Sequence, residues 1–403
     1  MTYPVFLNSR YNSRYSLLGA MAAELADAFA RAGHPVNPPA EQCAAPGPAA
    51  SIWFNFLNSI ADVAALRAQA PSRRIGLIQF FVDHPFAVWA EQLDGLSRVE
   101  AHRLLLPCAD STHLLRLRWP SLRAVHCLHG VPPSALAPAD LIERGHLGAP
   151  EGDPAHRPDG VAVFGSIHTE AELADLREAV PARLRKACDQ AAETMLAHPW
   201  TTFEQAMDLS QASESLPAAE WSSLSLCWRW VIASVNRARR TALVAAMQGL
   251  PTVVYGPDAW KQFCGGSIEH RGNIDYAATS AALARARVCL AWGPTQFTHS
   301  FSERLLLSLA AGCATIADDR LMARRHFAAD GVERVRMVGA AAPHEARAVA
   351  EALLEDVPRR AAMGLAGRAE IARAHLWDHR LPRIDAAARE AISAATPLLA
   401  AAG

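Results

Sequence analysis

The feature that most constrains this chain is one local order, repeated: a short apolar run, a polar break, then an amphipathic helix. Residues 75–82 (IGLIQFFV) are the clearest run. A strand covered on both faces needs such a stretch, because neither side of its pleat meets water. This run stops at Asp83-His84-Pro85. Others at 5–7, 51–56, 104–106 and 124–128 alternate with helical patterns at 17–32, 60–68 and 113–119. Repeated strand–helix order predicts a parallel sheet with helices on both faces.

The order breaks at 132–160, where Pro132, Pro133, Pro138, Pro150, Pro154 and Pro158 accompany four glycines. This composition predicts an interdomain linker. A strand at 161–164 ending in Gly165-Ser166 restarts the pattern. A long helical stretch at 169–249 is interrupted near Pro181, Pro199 and Pro217. Strand patterns follow at 252–255, 268–271, 288–291, 314–317 and 335–338, with helices at 343–355, 358–374 and 383–400. Trp221, Trp228 and Trp230 read as core-filling aromatics. A chain of 403 residues fits two domains of about 150–200 residues each. The expected division is 1–150, 151–380 and a terminal helix at 381–403.

Bulk properties exclude several classes. The formal net charge is −1, which argues against nucleic acid as the main partner. Eight cysteines, at 43, 108, 127, 188, 227, 264, 289 and 313, include no C-x-x-C pair. They read as reduced, packed thiols of a cytoplasmic protein rather than a disulfide frame or a zinc site. His126 and His129 sit three apart on a strand, so their side chains face opposite ways and make no metal pair. The first residues lack the basic and apolar segments of a signal peptide. No apolar stretch reaches the ~20 residues of a membrane helix. The Ala, Arg and Leu bias fits a GC-rich bacterial genome.

Residues 286–319 carry the most chemistry. They read as a strand ending at Trp292-Gly293-Pro294, a polar loop with His299, Ser300 and Ser302, a helix closed by Gly312, and a strand running into Asp318-Asp319. Ligands of open α/β sheets collect outside the carboxyl ends of the strands. A helix N-terminus there offers backbone N–H groups and a partial positive charge to an anion. Arg304, in the first turn, adds a guanidinium.

Residues 302–318 resemble the C-terminal signature of GT-B glycosyltransferases of the CgeB-like group. The matching residues are Ser302-Glu303-Arg304-Leu305-Leu306, Ser308, Gly312-Cys313 and Asp318. Upstream, Val82-Asp83-His84-Pro85, Asp110 with His113, and Leu128-His129-Gly130 resemble the same group's N-terminal domain, in order and at strand ends. Gly165-Ser166, Tyr255-Gly256 with Trp260, and Gly272-Asn273-Ile274 with Tyr276 resemble its donor-domain elements. The resemblance implies a GT-B architecture: two Rossmann-like doubly wound domains facing a cleft, with a C-terminal helix crossing back.

It further implies a nucleotide-diphosphate sugar as substrate, with no cofactor and no metal. Gly165, Ser166, Tyr255, Gly256, Gly272, Asn273, Ile274, Tyr276, His299, Ser300, Ser302, Glu303 and Arg304 would hold the donor. Asn8, Asp110, His113, His129 and Gly130 fall on the acceptor side. Asp83 or His84 would take a proton from an acceptor hydroxyl, and Arg304 would stabilise the leaving diphosphate. Asp83 as a helix cap and His84 as a packing residue is the competing reading. One departure matters. Many retaining GT-B enzymes carry two glutamates where this chain has His299 and Leu307. Retention and inversion both stay open, as do a nucleotide-sugar epimerase or hydrolase and a non-catalytic nucleotide-binding subunit. There is no G-x-G-x-x-G after a first strand and no phosphate-loop motif.

Overall fold

The computed structural model describes residues 2–7, 16–36, 50–56, 74–87, 90–153, 155–209 and 218–395. The helix pattern at 60–68 and the candidate Asn8 lie outside the described residues. By packing, the chain divides into two compact units. One comprises Met1–Gly130, Ala212–Ser225 and Trp377–Gly403; the other comprises Val131–Gln211 and Leu226–Leu376.

In the first unit the elements run β1 (Val5–Leu7), α1 (Leu17–Arg31), β2 (Ala50–Phe56), β3 (Arg74–Phe80), α2 (Ala90–Ser97), β4 (His102–Leu106), α3 (Ser111–Arg118) and β5 (Ala124–His126). The strands form a parallel sheet in the order β1-β2-β3-β4-β5. Val36 bridges Val5 in parallel on the other edge of β1. The chain thus leaves β1 to one side and returns to β2 on the other, the reversal of a doubly wound sheet. The continuous apolar run becomes β3, and its neighbour β4 is buried along its whole length.

The second unit continues with α4 (Ala139–His146), β6 (Asp159–Phe164), α5 (Glu170–Ala179), α6 (Arg185–Ala197), α7 (Phe203–Ala206), α8 (Ala218–Ala246, whose residues up to Ser225 belong to the first unit), β7 (Thr252–Tyr255), β8 (Ile268–His270) and α9 (Tyr276–Ala284). Then come β9 (Ala286–Leu290), α10 (Glu303–Ala310), β10 (Ala314–Asp318), α11 (Leu321–Phe327), β11 (Arg336–Val338), α12 (Pro343–Glu355) and α13 (Val357–Ala374). Its parallel sheet has the order β11-β10-β9-β6-β7-β8. The reversal falls between β6 and β9, so the crevice where such sheets take ligands opens beside Phe164 and Leu290.

The last helix, α14 (Trp377–Ala394), belongs to the first unit and packs on β3 and α1. The sequence pattern starts this helix beyond Pro382, yet it begins at Trp377 with Pro382 inside it. Its first turn is anchored firmly enough to tolerate the missing N–H. Trp377 is fully buried, meets Phe80 edge-on at 5.9 Å, and donates from Nε1 to Glu24 at 2.9 Å. Arg380 Nε donates to the His129 carbonyl at 3.0 Å. A Cβ on Gly130 would lie 2.8 Å from Trp377, so the bare backbone is what admits the indole.

The proline-rich stretch expected to be a linker holds α4, which packs against α13. Pro138 occupies the N-cap of α4, so proline punctuates that helix instead of preventing it. α10 ends in a Schellman turn: Gly312 (φ 69) lets Cys313 N–H reach the Ser308 carbonyl at 3.1 Å and its own N–H reach Leu309 at 3.0 Å. α4 presses on this turn. A Cβ on Gly312 would sit 2.4 Å from Ile142, and His146 Nε2 donates to the Gly312 carbonyl at 2.8 Å.

Burial, then the Arg157 charge, pulls the His146 imidazole down from 6.5 to about 4. Between those values the unfolded chain binds the extra proton, so acid favours unfolding. The contribution is complete above pH 6.5 and is lost as pH falls toward 4. The full shift corresponds to about 3 kcal/mol. His146→Gln, which keeps an N–H for Gly312, is expected to lose melting temperature less steeply than the parent across that window. Equal slopes would refute the assignment.

Candidate functional site

Two backbone segments leave the second sheet at its switch point: Gly165-Ser166 after β6 and the loop 291–302 between β9 and α10. The loop is pinned from three sides. Asp318, at the end of β10, accepts the Gly293 N–H at 2.8 Å. Arg320 donates to Asp318 from Nε at 2.7 Å and to the carbonyls of Gly293 and Pro294 at 3.0 Å each, and also to that of Phe297. Asn236 on α8 accepts both the N–H and the hydroxyl of Thr295 at 2.9 Å. A Cβ on Gly293 would lie 2.8 Å from the Arg320 guanidinium, so only glycine fits there. Asp318 and Arg320 are both buried, and their pairing lets two charges share the interior.

This clamp delivers the loop to the N-terminus of α10. Ser302 is the N-cap, but its hydroxyl makes no capping bond. The hydroxyl is buried and has no hydrogen-bond partner, and neither has Arg304 Nη1. Trp292 Nε1, at the carboxyl end of β9, is likewise buried and unpartnered.

The complementary wall comes from α8. Its segment Asn236-Arg237-Ala238-Arg239-Arg240 lies amid Val231, Ile232, Val235, Leu243 and Val244, all buried. The three arginines are therefore taken inside with the apolar face. Arg237 donates to the His168 carbonyl and to Glu170 at 2.5 Å. Arg239 caps the Met195 carbonyl. Arg240, 5% exposed, donates from Nη1 to the Ser166 carbonyl at 2.5 Å, while its Nε and Nη2 have no partner. Burial pulls the Arg240 guanidinium down to about 9; repulsion from Arg304 and Arg320 adds to this, and Asp318 and Glu303 oppose it.

Arg304 repels the Arg240 charge, and each of the two has a buried N–H group without a partner. Among the described residues neither forms an ion pair. Each buried unsatisfied donor costs about 1–3 kcal/mol. An anion between them would accept these N–H groups, relieve the repulsion and lie at a helix N-terminus. The chemistry of the arrangement suits an anion.

The structure puts Gly165 and Ser166 against Arg240, and Arg304 and Glu303 within its electrostatic reach. Tyr255 and Gly256 support this turn from behind. Tyr255 stacks on Phe164 at 4.7 Å. A Cβ on Gly256 would lie 2.3 Å from the Gly165 carbonyl, which also accepts Trp260 Nε1 at 2.7 Å. Gly272 (φ 74) accepts the Gly256 N–H at 2.8 Å. Asn273 is exposed, Ile274 half-buried and Tyr276 buried at the start of α9. Ser300 is buried, and the His299 carbonyl accepts the Met322 N–H at 2.9 Å.

Asp83, His84, Asp110, His113, His129 and Gly130 lie in the first unit. Asp83 Oδ1 accepts the His84 N–H at 3.0 Å, and His84 Nδ1 accepts the Phe86 N–H at 3.2 Å. With Nδ1 accepting, Nε2 is the ring nitrogen left to donate. Asp110 is exposed and accepts from Cys108 at 3.2 Å. Among the described residues, no group of three or more His, Cys, Asp or Glu is placed to hold a metal ion. No helix of the described residues is long and apolar enough to cross a membrane.

Sequence reasoning missed Arg240, Asn236 and Arg320. Three arginines in four helical positions ordinarily mark a solvated face. The available signal was the apolar residues on every side of them.

Residues 237–386 match the family model described as glycosyl transferase-like, a stretch that begins at the arginine segment of α8. No curated protein matches the sequence. Sucrose-phosphate synthase from Thermosynechococcus elongatus has the same fold, at 11% identity and TM-score 0.52, over 98% of this chain and 100% of that one. A glycosyltransferase from Rickettsia africae is similar at 9% identity and TM-score 0.51, over 97% and 99%. HepE from Anabaena, in complex with UDP and glucose, is similar at 12% identity and TM-score 0.50, over 96% and 99%. The fold is that of GT-B glycosyltransferases, with two Rossmann-like α/β units. The chain carries a glycosyl transferase-like domain on that fold, and together these findings support an enzyme of the glycosyltransferase class.

Arg320→Met would leave Asp318 buried without its partner and the loop carbonyls without donors. The expected cost in chemical denaturation is about 3–5 kcal/mol. A cost within about 0.5 kcal/mol, ordinary for surface substitutions, would show that the clamp is not what holds the loop.

Proposed function

We propose that this protein transfers a sugar from a nucleoside-diphosphate donor to a hydroxyl or other nucleophilic acceptor, without a metal ion. The observation that carries the reading is the pair of incompletely satisfied guanidiniums, Arg240 and Arg304, at the N-terminus of α10 and the switch point of the sheet. A diphosphate gains negative charge as the glycosidic bond breaks. Donors already aimed at that position stabilise it without reorganising, and this effect is usually the largest in catalysis. Two guanidiniums and a helix N-terminus supply the positive charge that a divalent ion would otherwise bring. HepE, with its bound UDP and glucose, supports a nucleotide sugar as the ligand class.

On the acceptor side, Asp83 is the proposed base. His84 Nε2–H then serves as a donor. Asp110, His113 and His129 are read as acceptor contacts. Gly130, which makes room for Trp377, acts by positioning. Within the glycosyltransferases we read the chain as CgeB-like, on its motifs in the order given above. We read it as cytoplasmic and bacterial, on its free, mostly buried thiols and its composition.

Thermal shift against UDP, GDP, dTDP, ADP and CMP, followed by turnover with the matching sugars, tests this reading. Arg304→Ala is expected to fold normally and lose about 100- to 1,000-fold in turnover. Arg240→Met is expected to match or exceed the parent's melting temperature without ligand, because it removes an incompletely paired buried charge, and to lose nucleotide stabilisation. Full transfer by the Arg304 variant would sink the mechanism. Stabilisation by nucleotide with no turnover would identify a binding subunit, the reading that His299 and Leu307 at the usual glutamate positions favour.

A further inference from the structure

Among the described residues, the exposed large apolar side chains are Leu147, Trp200 and Val332, and Trp200 is the aromatic one, at 40% exposure. It lies between α6 and α7 on a short, well-held turn. His198 N–H bonds the Thr194 carbonyl at 2.8 Å, and Thr201 N–H bonds that of His198 at 2.9 Å. Thr202 and Gln205 close a reciprocal capping box immediately after. The indole is therefore presented on fixed backbone, and its ring is held as well. The Arg324 guanidinium stands over it, 5.3 Å from the ring centroid. That guanidinium is oriented by Asp319, which accepts from both Nε and Nη2. His299 meets the indole edge-on, with centroids 6.3 Å apart.

This arrangement adjoins the anion receptor. Asp319 directly follows Asp318, the residue that pins the loop. His299 precedes the N-cap Ser302 by three residues, a span of at most about 10 Å. The chemistry is specific: a flat apolar ring with the Arg324 guanidinium over one face, the residue still 40% exposed, and the Asp319 carboxylate and His299 imidazole beside it. Pockets that fix orientation combine an aromatic wall with a few polar groups in this way. A pyranose ring has the complementary form, an apolar C–H face bordered by hydroxyls. A peptide side chain needs no such rim, and the carboxylate opposes a phosphate.

We propose that Trp200 is a stacking platform for a pyranose ring next to the anion receptor, with Asp319, Arg324 and His299 facing its hydroxyls. The inference rests on the donor reading above for the identity of the neighbouring ligand. The ring would belong either to the donor's sugar or to a saccharide acceptor.

The test is calorimetry on the full chain, comparing wild type, Trp200→Ala and Trp200→Phe. The probes are UDP, GDP, dTDP and ADP alone, the same diphosphates carrying glucose, and methyl glycosides added to the nucleotide-saturated protein. Thermal melts confirm that each variant is folded. The alanine variant is expected to bind sugar-bearing probes about three- to tenfold more weakly, with free diphosphate affinity unchanged, and phenylalanine to restore most of the loss. A loss confined to the diphosphate sugars places the donor ring on Trp200, and a loss confined to the methyl glycosides places an acceptor ring there. Equal weakening of the free diphosphates would mean that the indole holds the base or merely supports the site, and the proposal would fall. It would fall equally if wild type bound no sugar-bearing probe, or if alanine changed nothing. Wild type that binds methyl glycosides but no diphosphate would instead overturn the donor reading and leave the platform standing.

Discussion

The second unit depends on a buried ion pair that also serves as a backbone clamp. Asp318 and Arg320 hold the loop after β9 by its Gly293 N–H and by the carbonyl groups of Gly293, Pro294 and Phe297. Irregular backbone inside a protein must find partners for its polar groups, and this pair supplies them at the sheet's switch point. Because the loop is held, α10 begins at a defined place. Ser302 and Arg304, at that start, each keep a buried polar group without a partner.

Other buried arginines in the unit give most of their N–H groups to the fold, leaving only Nε without a partner. Arg157 caps the carbonyls of Ala286 and Ala311, and Arg360 those of Leu353, Leu354 and His146. These guanidiniums serve as structural hydrogen-bond donors. Arg240 is different, since one of its nitrogens bonds Ser166 and two remain open. The contrast is one of degree: Arg240 leaves two nitrogens open where Arg157 and Arg360 leave one. It also gives a physical meaning to the destabilising closeness of Arg240 and Arg304: binding sites carry unsatisfied groups at some cost to stability.

Glycines show the same division. Gly312 and Gly272 adopt left-handed backbone that a side chain would strain. Gly130, Gly256 and Gly293 are required by proximity, to Trp377, to the Gly165 carbonyl and to Arg320 respectively. Gly256, read from sequence as part of a nucleotide pocket, contributes by letting β7 support the Gly165 turn. Its effect on a ligand would be transmitted through that turn.

Much of the architecture was legible because it follows from local periodicity. The apolar run at 75–82, the strand–helix alternation, the stop at Gly312 and the N-terminal Ser302-Glu303-Arg304 of α10 all depend on residues close in sequence. So did the placing of Arg304 at a strand's carboxyl end. The helix at Ala139–His146 was hidden by the prolines around it, and the start of α14 by Pro382. Arg240 was hidden because a basic run on a helix looks solvated until the neighbouring elements cover it. Nothing near it in sequence marks Trp200; α11 and the loop after β9 bring Arg324 and His299 to it. Secondary structure is set by neighbours along the chain. Only the tertiary fold decides which polar atoms are cut off from water without a partner, because burial and partnership are properties of what packs from elsewhere.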